Sequence, residues 1–116
     1  MARMSIRIDL ERDGRLGPGK VALLERIAEC GSISAAGRAM GMSYRRAWQL
    51  VADLNESFAE PLVAARMGGR RGGGATLTRF GSRLVAEYRA IEREAEAAVA
   101  PRLRVLEDAA AKGRDR

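Results

Sequence analysis

The 116-residue chain carries 21 basic and 15 acidic side chains, for a formal net charge of +6, with no histidine and one cysteine. That length allows one domain with an appended helix, not two full domains. Without histidine, and with Cys30 alone, the chain has no Ser–His or Cys–His catalysis, no common zinc ligand set and no intrachain disulfide; no enzyme activity, cofactor or metal is expected. There is no N-terminal apolar run of signal-peptide length and no stretch near the roughly 18 apolar residues of a membrane span, so a cytoplasmic protein with no membrane partner is expected.

Met4, Ile6, Ile8 and Leu10 alternate with Ser5, Arg7, Asp9 and Glu11, the period of a strand with one buried face. Asp13-Gly14 then offers a turn for a hairpin. Pro18 favours a helix start, and Val21, Leu24, Ile27 and Ala28 share one face of the helix that follows. Cys30, near its end, is expected as a small buried residue, and Gly31 as the stop.

Residues 32–58, SISAAGRAMGMSYRRAWQLVADLNESF, organise the chain. They read as two helices joined by a tight turn. Ala35, Ala36 and Ala39 let the first helix approach a neighbour closely, Gly41 turns the chain, and Ser43 is a natural N-cap for the second helix. On that second helix Ala47, Leu50, Val51, Leu54 and Phe58 form one buried stripe. Arg45, Gln49, Ala52 and Glu56 project away from it, with Arg46 and Trp48 on its flanks. Arg and Gln near a helix N-terminus suit the major groove, Arg pairing with guanine and Gln with adenine. Tyr44 and Trp48, within about 100° of the stripe centre, are expected as boundary packing with their polar atoms outward. The plainer reading of the stretch is two amphipathic helices with a solvated arginine pair.

After Pro61, Leu62 to Arg66 reads as a short strand and Met67 to Ala75 as a loop, with five glycines around Arg70 and Arg71. If residues 75–77 return as a partner strand, the result is a hairpin wing with two arginines at its tip; a flexible glycine linker is the competing reading. No Lys-Ser or Lys-Thr follows the glycines, so the P-loop pattern fails. Thr78 caps the last helix, along which Leu84, Tyr88, Ile91, Ala95 and Ala98 have heptad spacing and imply a seam against another helix, most economically a second copy. Pro101 is expected to break or kink that helix. The expected division is residues 1–77 for a winged helix-turn-helix and 78–116 for a dimerisation helix with a charged tail. The fold is therefore mainly α with a small β-hairpin wing.

Charge follows this division. Residues 32–83 hold 8 basic and 3 acidic side chains, while residues 1–31 and 84–116 are close to balance. A basic patch confined to one region is the footprint of a polyanion; it would equally suit an anionic membrane surface, but the segment lacks the apolar wedge a membrane binder needs.

In this order the elements resemble the N-terminal winged helix domain of the ModE family of bacterial molybdate-responsive regulators. The resemblance is carried by residues 31–55, by Pro61-Leu62-Val63, by GGRRGGGATLTRFG over 68–81 and by RLVAEY from Arg83. LysR-type regulators share the alanine-rich helix pair and the L-T-x-x-G entry into a long helix, but not this glycine-rich wing. The resemblance implies a homodimeric transcription factor for double-stranded DNA, with Ser43, Tyr44, Arg45 and Gln49 in the recognition helix and Arg70 and Arg71 in the wing as contacts, Arg46 being added from its flank position. ModE proteins carry C-terminal oxyanion-binding domains; this sequence stops at Arg116, so no tightly bound small molecule is expected. The alternative is a winged-helix protein-interaction module that has lost DNA reading, against which stands the grouping of Arg45, Arg46, Arg66, Arg70, Arg71, Arg79 and Arg83.

Overall fold

A computed structural model describes residues 2–11, 14–69 and 72–114. The chain runs β1 (Ile8–Asp9), β2 (Arg15–Leu16), α1 (Pro18–Cys30), α2 (Ile33–Ala39), α3 (Tyr44–Ser57), β3 (Val63–Gly69), β4 (Gly72–Leu77) and α4 (Arg79–Arg114). Mainly helical, with a hairpin between the third and fourth helices, it is the winged helix-turn-helix expected from the sequence. Two antiparallel pairs make up its sheets, β1 with β2 and β3 with β4. Both follow directly from chain order, as sequential strands joined by a tight connection pair antiparallel.

Pro18 opens α1 because its fixed φ suits the first turn and its missing N–H is not needed there. Val21, Leu24 and Ile27 are buried as their spacing requires, joined by Leu23. Ala28 and Cys30 are exposed, which corrects the expectation for both. Leu23, within about 20° of Cys30 around the helix axis, is buried, so Cys30 is exposed through its place at the helix end and not through its face. Gly31, at φ 75°, ends the helix, its N–H bonded to the Ile27 carbonyl at 2.8 Å.

The core gathers Val21, Leu23, Leu24 and Ile27 of α1, Ala36 of α2, Ala47, Val51 and Leu54 of α3, Leu62 and Val63, Ala75 of β4 and Tyr88 of α4. Leu62 is its junction. Asn55 on α3 accepts from the Leu62 and Val63 N–H groups (2.9 and 3.2 Å) and donates to the Val63 carbonyl at 3.1 Å. The Leu62 carbonyl accepts from Thr78 N at 2.9 Å. Thr78 Oγ1 donates to the Pro61 carbonyl at 2.7 Å and accepts from Gly81 N at 2.9 Å, the N-cap expected for the last helix. Gly81 is packed so tightly on the Leu62 backbone that a Cβ there would collide with the Leu62 carbonyl oxygen.

The strand expected over residues 4–11 is reduced to Ile8–Asp9, paired with Leu16 and Arg15. Its upstream part instead reaches α4: Tyr88 Oη donates to the Ile6 carbonyl at 2.6 Å, and Ala2 N to Glu107 at 2.6 Å. The glycine-rich stretch is also less of a loop than expected. β3 extends to Gly69 and β4 starts at Gly72, in a register of Val63↔Leu77, Ala65↔Ala75 and Gly69↔Gly72 with an irregularity between Arg66 and Gly69. A ladder bonds backbone to backbone, so side-chain-poor residues can extend it once the Val63–Leu77 end is anchored.

α4 is continuous to Arg114 with Pro101 inside it, so the expected break is absent. Pro101 and Ala97 are both exposed, and the carbonyl released by the missing N–H is open to water. The expected seam is divided. Tyr88 is buried within the chain's own core at 1% exposure and Leu84 packs against that core, whereas Ala95 is half-buried and Ile91 and Ala98 are exposed. Arg89 ties α4 to α1, bonding Glu25 through Nε at 3.0 Å and Nη2 at 2.6 Å, and Glu92 through Nη1 at 2.7 Å.

Two predictions follow from this packing. Gly81→Ala should lower stability by about 1–3 kcal/mol through backbone overpacking, while Gly19→Ala in α1, with open space at its Cβ, should leave it unchanged or raise it; thermal melts of the two variants separate the effects. The hydrogen bonds from Arg89 hold the Glu25 carboxyl below its ordinary 4.5, so the pair's contribution is complete above that pH and is lost as pH falls through the lowered value. Urea melts of wild type and Glu25→Gln should differ by about 1 kcal/mol or less at neutral pH and converge below pH 4.5.

Candidate nucleic-acid interface

The turn between α2 and α3 sets the direction of α3. Gly41 takes φ 69°, left-handed backbone that an L side chain adopts only with strain, and bonds from Gly41 N to Arg38 O (3.0 Å) and Met42 N to Gly37 O (2.9 Å) close the turn. Ser43 Oγ then accepts from Arg46 N at 3.1 Å and caps α3. α2 begins the same way, with Ser32 Oγ accepting from Ala35 N at 2.9 Å. Ala47, Val51 and Leu54 turn inward, with Leu50 and Phe58 half-buried at the margins of the stripe. Arg45, Arg46, Gln49 and Glu56 are exposed, on the side the spacing assigns them.

Neither Arg45 nor Arg46 is paired with a carboxylate among the described residues. Gln49 donates from Nε2 to Asp53 Oδ1 at 3.0 Å. That bond is exposed, so releasing the amide for another partner costs about 1 kcal/mol or less. Tyr44 and Trp48 depart from expectation: they are 57% and 49% exposed, standing out of the core rather than packing at its boundary. They border a groove of about 330 Å³ between α3 and the β3–β4 hairpin, walled by Ile33, Val51, Val63, Ala65 and Ala75.

The hairpin is fixed beside α3 from two directions. Ala75 N donates to the Gly31 carbonyl at 2.9 Å, tying β4 to the end of α1, and Asn55 clamps the start of β3 to α3. The Arg66 guanidinium lies against Gly31 and Gly74. Arg70 and Arg71 fall outside the described residues, between the paired Gly69 and Gly72. The expected helix and hairpin are therefore brought together on one side of the molecule, while Ile91 and Ala98 lie away on α4. Asn55 is the residue that sequence reasoning passed over. Its only signal was an amide on a helix a few residues before a proline, where the backbone leaving the helix needs a partner.

Among the described residues no three or more histidine, cysteine, aspartate or glutamate side chains are grouped to hold a metal ion, and no helix is long and apolar enough to cross a membrane. A family model for the bacterial regulatory helix-turn-helix proteins of the LysR family matches residues 19–82, more than half of the chain and the span from α1 to the cap of α4. The chain belongs to that family. Within it the resemblance to ModE regulators also holds. The chain is 52% identical over 84 residues, 72% of its length, to the molybdenum-pterin-binding protein MopB of Rhodobacter capsulatus. It is 41% identical over 99 residues, 85% of its length, to the molybdenum transport protein ModE of Azotobacter vinelandii. To the DNA-binding transcriptional dual regulator ModE of Escherichia coli it is 37% identical over 87 residues, 75% of its length. The matches span 31%, 36% and 33% of those relatives, so the chain corresponds to about a third of their length. A solved complex of the CbnR DNA-binding domain with DNA has the same fold, with a TM-score of 0.56 at 20% identity over 77% of this chain and 95% of that one.

If Asn55 is the clamp between helix and hairpin, Asn55→Ala should cost about 1–3 kcal/mol by leaving the Leu62 and Val63 N–H groups unpaired. Amide hydrogen exchange should then speed up through β3 and β4 before the rest of the fold opens.

Proposed function

We propose that this LysR-family chain is a sequence-specific double-stranded DNA-binding transcriptional regulator of the ModE kind. The observation that carries the reading is the face of α3. Arg45 and Gln49 project from its first two turns on the side opposite the buried stripe, unpaired or weakly paired, beside a hairpin held at a fixed position. A helix entering the major groove needs long donors near its N-terminus and a backbone-contacting element alongside. The charge agrees, because the excess of arginine is confined to this region.

In this reading residues 1–77 read DNA and α4 associates two copies. Ser43 and Arg46, at the start of α3, face the DNA backbone, Arg45 and Gln49 face base edges, and Arg70 and Arg71 supply cations from the wing. The association surface is the outer part of α4, where Ile91, Val105 and Leu106 are exposed apolar side chains with Ala98 between them. Leu84 and Tyr88 support it from within the protomer. A two-fold dimer would bind an inverted repeat with half-sites about 34 Å apart or a multiple of it. The names of the relatives connect them to molybdenum, and we assign this regulator to molybdate-related genes on that ground.

Duplexes enriched from a random pool by the full chain supply the probe. Arg45→Ala should lose about 1–3 kcal/mol on the enriched site and much less on scrambled DNA. Arg70→Ala should weaken both similarly and flatten the salt dependence by about one unit of slope. An unchanged ratio of enriched to scrambled affinity in Arg45→Ala would remove α3 as the reading helix. In sedimentation at micromolar concentration the wild type should be a dimer and Ile91→Asp should shift toward monomer; a monomeric wild type would remove the association helix.

A further inference from the structure

Two of the chain's five aromatic side chains, Tyr44 and Trp48, stand in solvent on α3. Side chains four apart share one face of a helix, and these two form the rim of the groove between α3 and the hairpin. Large apolar surface left exposed in this way marks a place where something else packs. Nothing in the helix's own folding requires it, since the stripe of Ala47, Val51 and Leu54 already fixes α3 to the core.

The surroundings of the groove restrict its occupant. Arg45 follows Tyr44 directly, whereas Arg46 turns to the opposite flank of α3. Arg38 is held at one edge by its bond to Ser34 Oγ, 3.0 Å, and Arg66 lies at the other against Gly74. The carboxylates of α3, Asp53 and Glu56, come only later along the helix. An apolar strip bordered by three arginines, Arg38, Arg45 and Arg66, suits a polyanion that presents an apolar group. In duplex DNA that group is the thymine 5-methyl, which projects into the major groove at the edge of the base and is read by apolar contact. Around the axis of α3, Trp48 lies about 60° from Arg45 and about 100° from Gln49, on the hairpin side. It is therefore placed beside bases contacted by those two residues, not on top of them.

We propose that Trp48, alongside Tyr44, is a specificity-determining residue that packs on the 5-methyl group of a thymine next to the bases read by Arg45 and Gln49. The inference rests on the DNA-reading function proposed above and names a base that Arg45 and Gln49 do not select. It adds apolar recognition to a surface otherwise composed of hydrogen-bond donors.

The test uses the full chain and a duplex that it enriches from a random pool, with each thymine replaced in turn by uracil to remove only the methyl group. Binding is followed by anisotropy of the labelled duplex. Trp48 is the only tryptophan, so acrylamide quenching of its emission reports its cover directly in the unmodified protein. Uracil at one particular thymine of a single half-site should weaken wild-type binding about three- to five-fold, the effect of one buried methyl. Trp48→Ala should bind the thymine and uracil duplexes equally, and duplex should reduce quenching in the wild type. If duplex binds while quenching is unchanged, or if Trp48→Ala keeps the preference for thymine, Trp48 does not read the methyl and the inference falls while DNA reading stands. Quenching reduced by poly-glutamate and not by duplex would assign the groove to an acidic protein partner and overturn the inference. If the wild type enriches no sequence at all, the DNA-reading function itself fails and the inference with it.

Discussion

The position of α3 and the hairpin relative to each other depends on the backbone at Leu62. This residue is fully buried, and three elements meet on its peptide groups: α3 through Asn55, the β4–α4 corner through Thr78, and α4 through the close approach of Gly81. The Asn55 and Thr78 contacts satisfy backbone polar groups, and losing either leaves an unpaired donor or acceptor that costs more than the bond contributed; the Gly81 contact is close packing of backbone on backbone. The junction sets the direction in which β3 leaves α3 and α4 leaves β4. The hairpin and α3 are held relative to each other by that single strap of chain, with the Ala75–Gly31 bond as a second support.

The same arrangement separates two kinds of surface. On α3, among the described residues, Arg45 and Arg46 are left without carboxylate partners, and their mutual repulsion is tolerated because they are exposed. Between α4 and α1 a charged cluster is paired, Arg89 with Glu25 and Glu92. The unpaired set is available to a polyanion; the paired set holds the fold. The proposed function uses both, since a helix set against DNA must be held firmly by a body that does not compete for the DNA.

The parts of the fold legible in the sequence were those governed by local rules. The buried faces of α1 and α3 follow apolar spacing, Ser43 and Thr78 cap helices by their position ahead of an apolar run, and Gly31 and Gly41 end helices where left-handed backbone is needed. What was misread depended on tertiary contacts. The N-terminal alternation suggested a longer strand, but the partner of Ile6 is Tyr88, 82 residues away. The heptad spacing on α4 does not distinguish a seam facing another copy from one facing the chain's own core, and Tyr88 faces the core. Pro101 is tolerated because its turn is in water, and the glycines of the hairpin extend a ladder that needs no side chains. In the candidate site, Arg45 and Gln49 were legible from helical geometry, whereas the exposure of Trp48 and the clamp at Asn55 depend on where the hairpin comes to lie, which no local pattern encodes.

The central claim is that α3 and the hairpin act as one DNA-facing surface. Amide hydrogen–deuterium exchange of the full chain, with and without an enriched duplex, tests it most directly. The account predicts that DNA slows exchange together in the first turns of α3, residues 43–50, and along the hairpin, residues 63–77, with little change in the outer part of α4. Slowing confined to α4, with α3 and the hairpin unchanged, would contradict it.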